Sequence, residues 1–138
     1  MLVADRFLRS GVVVRTVGRR QNQTFNARDD RHVSDVPLVV LVNRVTASGA
    51  EIVAAALRDQ GRARIAGTRT AGRGIVNTMF PLGVEAMLRL ATARAFGPLG
   101  APIGDGVQPD LVLPEADTAP RTDVTVVERA AALLDGVR

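Results

Sequence analysis

The 138 residues are one domain's worth of chain, enough to bury roughly two thirds of the unfolded surface around a single core. Hydrophobic residues at 46% and charged residues at 23% exclude a disordered or fibrous chain, and no apolar run reaches the ~18 residues of a membrane span. With no cysteine and one histidine, disulfides, thiolate catalysis and the usual metal sites are excluded, and no cofactor is expected. The net charge of +4 is carried by eighteen arginines and no lysine, scattered among fourteen acids with only four aromatics. Nucleic-acid binding asks instead for clustered cations and stacking platforms, so no nucleic-acid partner is expected.

In chain order, Leu2, Val3, Ala4, Phe7 and Leu8 share one helical face, closed by Gly11. Val12–Val17 is strand-like, 18–22 is turn-rich and 23–27 returns as a short strand, giving a hairpin. Residues 28–35 read as a charged loop in which His32 is a solvated surface side chain. The run Pro37-Leu-Val-Val-Leu-Val-Asn43 has the continuous apolar character of a strand buried on both faces, which implies a parallel sheet flanked by helices. A loop over 44–48 leads into a helix over 49–60 that stops at Gly61. Residues 64–67 form a short strand and 68–74 a glycine-rich loop. Residues 75–82 and 86–96 read as strands, although the second also has helical propensity. A loop over 97–109, a strand over 110–113, a linker over 114–122 and an amphipathic helix over 123–135 complete the chain, which is taken as one partial α/β domain over 1–138.

Two features carry chemistry. A buried strand that runs through a tight turn into a helix presents the turn's side chain, Ser48, at the carboxyl end of the sheet beside unpaired helix amides. Those amides favour developing negative charge, as an acyl-transfer nucleophile and its oxyanion require, and Gly49 lets a substrate backbone approach. The same residues also fit a plain capping box, Ser48 with Glu51 three positions on. The second feature, Thr68-Arg-Thr-Ala-Gly-Arg-Gly74, lacks the lysine and the following helix of a phosphate loop.

The run from Pro37 through Ser48-Gly-Ala-Glu-Ile to Asp59-Gln-Gly-Arg-Ala63, then Gly67, Thr70-Ala-Gly-Arg-Gly-Ile-Val-Asn77, Arg94–Gly100 and Gly106-Val-Gln-Pro-Asp110, resembles the later half of the catalytic domain of the C-terminal processing (tail-specific) serine peptidases, over about residues 2–113. The resemblance implies a ClpP/crotonase-like core with a parallel-rich sheet and flanking helices, truncated at its N-terminal side. It implies a serine-type endopeptidase acting on the C-terminal regions of proteins, usually outside the cytoplasm, with a peptide or protein as substrate. It places Ser48 at the nucleophile position, Gly49 at the oxyanion backbone, Asp59 at a recurrent acidic position, Arg73 at the lysine-base position and Asn77 at a glutamine position. Arginine departs from the pattern: a guanidinium would need roughly 9 kcal/mol of destabilisation to be half neutral at pH 7, against about 5 for an ammonium. Impaired hydrolysis is therefore expected. The alternative is a non-catalytic homologue that binds peptides, with Arg73 holding a carboxylate. A second copy, or a complementing chain meeting the C-terminal helix, is the expected cover for an open sheet edge.

Overall fold

The computed structural model describes residues 2–113 and 124–135. Elements follow in the order α1 (Leu2–Asp5), β1 (Val12–Gly18), β2 (Asn22–Asn26), β3 (Val39–Val42), α2 (Gly49–Asp59), β4 (Arg64–Gly67), β5 (Ile75–Pro81), β6 (Met87–Phe96), β7 (Leu111–Val112) and α3 (Val124–Asp135), with single 3₁₀ turns at Asp29–Arg31 and Ile103–Asp105. The expected linker over 114–122, and Asp123 as the first residue of the last helix, lie outside the described residues.

The α/β class and the parallel sheet are as the sequence implies, and the strands divide into two sheets. One is parallel, in the order β3-β4-β7, with Val39 opposite Arg64 and Ala66 opposite Leu111. The other is antiparallel, in the order β2-β1-β6-β5. Helix α2 joins them: Ala54 and Ala55 pack with Val42 and Ile65 of the parallel sheet and with Val14 and Ala95 of the antiparallel one. Small side chains at 54–56, all buried, let the helix approach closely, since close-packed interiors leave no room for slack. A second cluster seats α1 on the far half of the helix, through Ala4 and Leu8 against Ala56 and Leu57. A third, Ala66, Leu113 and Ala130, brings α3 to the parallel sheet.

Two readings of burial are corrected. The strand at 37–42 is not buried on both faces: Leu41 is 46% exposed and Val39 and Val40 are half-buried, because three short parallel strands leave part of that face uncovered. His32 is not a solvated side chain. Its ring is 6% exposed, and Nε2 lies 2.8 Å from one Asp35 carboxylate oxygen while Arg9 contacts the other at 2.6 Å. The loop folds back on α1, with the Val33 amide donating to the Arg6 carbonyl, and this contact covers the ring.

Glycines set two close approaches. Gly61, at φ 67, closes α2 in the left-handed conformation while the Arg62 amide donates to the Leu57 carbonyl. Gly67, at φ 129, lies so near β3 that a Cβ would meet the Val42 carbonyl oxygen at 1.8 Å. Gly67→Ala is therefore expected to destabilise the fold by more than about 1 kcal/mol, through both φ and contact. Chemical denaturation checks it, and an unchanged midpoint would show that β3 and β4 do not meet this closely.

Candidate active site

The elbow between β3 and α2 is built by Asn43. Its side-chain oxygen accepts from the amides of Val45 at 3.1 Å and Thr46 at 3.2 Å, an Asx turn that folds the chain back within a few residues. The Thr46 hydroxyl accepts from the Asn43 amide at 3.1 Å, and the Thr46 carbonyl accepts from the Ala71 amide at 2.9 Å. The turn is thus locked within itself and to the glycine-rich loop.

Ser48 follows with φ 54 and ψ −118, the only described residue other than glycine with a positive φ. An ordinary helix cap has extended backbone angles, so capping does not account for this conformation. Backbone strain of this kind costs on the order of 1–3 kcal/mol and persists where surrounding contacts over-determine it. Ser48 is exposed, Gly49 has nothing within 4 Å of where a Cβ would stand, and the Gly49 amide has no acceptor among the described residues. The result is a hydroxyl beside a free helix-terminal amide with open space above both.

Glu51 over-determines the strain. Its carboxylate is fully buried and has no cation partner. One oxygen accepts from the Ser48 and Arg73 amides, both at 2.8 Å. The other accepts from the Thr70 hydroxyl at 2.5 Å and the Gly72 amide at 2.7 Å. Thr70 Oγ1 in turn accepts from the Val107 amide at 2.8 Å, so the 97–109 loop joins the same network. Burial pushes the Glu51 carboxyl up, but the bonds from Thr70, Gly72, Arg73 and Ser48 together outweigh it and hold the group below the usual glutamate range. The sequence reading saw only the local half of this arrangement, Glu51 reaching back to Ser48.

The structure unites Ser48, Gly49 and the backbone of Arg73. The Arg73 guanidinium is exposed and makes no hydrogen bond or ion pair among the described residues. Asn77 lies on β5, exposed, opposite Ala91 and next to a bulge at Val76/Asn77. Asp59 stands apart from these. It lies three turns along α2 from Ser48, roughly 16 Å at 1.5 Å per residue. Its buried carboxylate accepts from Arg58 at 3.0 Å and from the Leu99 amide at 3.3 Å, fixing the turn after β6. The loop that carries His32 is held at that same end of α2, where Arg62 donates to the Ser34 and Val36 carbonyls. Among the described residues no group of three or more His, Asp or Glu side chains could hold a metal, and no helix is long and apolar enough to cross a membrane.

A serine on a strained strand-to-helix elbow, beside a free amide and anchored to a second loop, is an arrangement compatible with the serine-peptidase class. The family model for peptidase family S41 matches residues 1–113, and the chain belongs to that family. It is 45% identical over 114 residues to a carboxy-terminal-processing protease of Bartonella bacilliformis, covering 80% of this chain and 26% of that protein. It is 37% identical over 114 residues to a carboxyl-terminal-processing protease of a Picosynechococcus species, covering 82% of this chain and 28% of that protein. Among solved structures, a photosystem II D1 C-terminal processing protease superposes with a TM-score of 0.76 at 36% identity, over 92% of this chain and 33% of that one. The chain thus spans about a quarter to a third of these relatives.

Two outcomes test the site. Ser48→Gly should be more stable than Ser48→Ala by about 1 kcal/mol in denaturant titration, because only glycine relieves the positive φ; equal midpoints would mean the elbow is unstrained. Glu51→Gln should lose on the order of 3 kcal/mol at neutral pH, since a buried acceptor of four bonds becomes mismatched. A carboxyl lowered on folding stabilises above its unfolded pKa and loses that contribution as pH falls through its folded value. The stability gap between the native chain and Glu51→Gln should therefore close only as pH drops below the usual glutamate range; a gap that closes on raising the pH would contradict the assignment.

Proposed function

We propose that this chain is the Ser48-bearing portion of a serine endopeptidase catalytic domain that acts on the C-terminal regions of proteins, with hydrolysis impaired at its base position. The observation that carries the reading is the strained, exposed elbow at Ser48, tied through one buried carboxylate to the loop that bears Arg73. In this reading Ser48 attacks the scissile carbonyl, the Gly49 amide helps stabilise the oxyanion, and Arg73 occupies the place of the proton acceptor. Asn77 orients the side chain at that place, and Asp59 supports the framework from the far end of α2.

The step that fails is the first proton transfer. A serine hydroxyl needs a neighbour with a free lone pair, and a guanidinium offers five donors and no acceptor. His32, the one imidazole of the sequence, lies in the loop that Arg62 holds at the other end of α2. A second reading follows from the same observation: a non-catalytic homologue in which the unpaired Arg73 guanidinium holds a peptide carboxylate in a charge-assisted pair.

Labelling with a fluorophosphonate separates the two. Stoichiometric modification that vanishes in Ser48→Ala supports the peptidase reading. Absence of label, together with peptide binding weakened by Arg73→Ala, supports the second. Arg73→Lys combined with Asn77→Gln should raise peptide hydrolysis by about 10²-fold or more if the base alone is at fault; an inert double mutant would show that the defect lies elsewhere.

A further inference from the structure

The loop that carries Arg73 is pressed against a second loop, backbone on backbone. A Cβ on Gly72 would meet the Gly104 carbonyl oxygen at 2.5 Å, one on Gly74 would meet the Gly104 amide nitrogen at 2.4 Å, and one on Gly106 would meet the Thr70 carbonyl oxygen at 2.7 Å. Approaches this close are open to glycine alone, and they lay residues 72–74 directly on residues 104–106. The lower layer is itself anchored. Ile103 is buried in one core cluster with Ala54 and Ala55 of α2, and Pro102 bridges to Phe96 of β6. Arg73 therefore rests on a floor that the body of the molecule holds in place.

Contact alone does not fix where on that floor the upper loop lies, because glycines bring no side chains to interdigitate. Polar links set the register. At one end the Thr70 amide donates to the Val107 carbonyl at 3.2 Å and the Val107 amide donates to the Thr70 hydroxyl at 2.8 Å. At the other the Ala95 amide donates to the Gly74 carbonyl at 2.8 Å. Between them Arg69 reaches across: Nε donates to the Asp105 carbonyl oxygen at 2.8 Å, and Nη2 donates to the same atom. Two donors of one planar fork fix direction as well as distance, and bonds from a charged donor are roughly twice as strong as neutral ones.

We infer that Arg69 is a positioning residue for position 73. By clamping the Asp105 carbonyl it sets the register of the Gly72–Gly74 segment on the 104–106 loop, and so holds the Arg73 amide against the Glu51 oxygen that the Ser48 amide also uses. Arg69 acts through these neighbours: its printed partner is a backbone carbonyl, not a group of the elbow. The placement matters because a shift of about 1 Å in a reacting group can cost about 10²-fold in rate. The effect on hydrolysis rests on the peptidase reading; the holding of position 73 does not, since a homologue that binds a carboxylate there needs the same placement.

Amide hydrogen exchange of the full chain, read residue by residue by NMR, tests the clamp. In Arg69→Ala, exchange at Gly72 and Arg73 should rise about tenfold or more, while the Ser48 amide and those of α2 stay within about twofold of the native chain. Arg69→Lys keeps a charged donor without the fork and should return both amides to within about threefold. The second measurement uses Arg73→Lys with Asn77→Gln as background. There Arg69→Ala should lower kcat about tenfold and leave KM within about twofold, because the proton acceptor is displaced and substrate binding is not. Unchanged exchange at Gly72 and Arg73, a uniform rise along the chain, no rescue by Arg69→Lys, or an unchanged kcat in an active background would each overturn the positioning role. An inert background would sink the hydrolytic reading alone and leave the exchange pattern to decide on Arg69.

Discussion

A single buried carboxylate organises this molecule. Glu51 accepts four hydrogen bonds from donors spread over 26 positions of sequence, Ser48 to Arg73, and has no cation beside it. Burying a charge is costly, and the cost is met here by a complete set of backbone and hydroxyl donors. The geometry that results is stiff. The turn entering α2 and the glycine-rich loop cannot shift independently, because they share the same two oxygen atoms, and the loop at Val107 is tied to them through the Thr70 hydroxyl.

That stiffness explains how a serine can be kept in a conformation that favours glycine. The strain at Ser48 is local and the compensation is not: the Asx turn at Asn43 fixes the approach, α2 fixes the exit, and Glu51 ties both to residues that follow β4. A hydroxyl held in this way is preorganised by its backbone contacts alone. The arginine at position 73 leaves this architecture undisturbed, since the network uses its backbone and leaves its side chain free.

Much of this was legible in the sequence where the signal was local. The apolar run before Asn43, the helix formers after Ser48, and Gly61 as terminator fixed the strand–turn–helix, and the family motifs located Ser48 and Arg73. The Ser48/Glu51 spacing read as a capping box because three residues is the range such a motif spans. The other three donors to Glu51 lie 19 to 22 positions away and became visible only when the chain closed on itself. Burial was harder to foresee: Leu41 is exposed because the parallel sheet is small, and His32 is covered because its loop returns to α1. Asp59, matched by motif, serves the turn at Leu99; sequence order along a helix says nothing of which end a group serves.

The three consecutive alanines of α2 have a consequence for how such a domain can change. Because Ala54, Ala55 and Ala56 are in contact with both sheets and with α1, any larger side chain there would tilt the helix axis and carry the elbow with it. Substitution that leaves the axis undisturbed is confined to positions elsewhere, such as residues 77–91 of the hairpin, where side chains meet solvent. The helix is the part least free to vary, and the hairpin, whose side chains face solvent, is the part most free to do so.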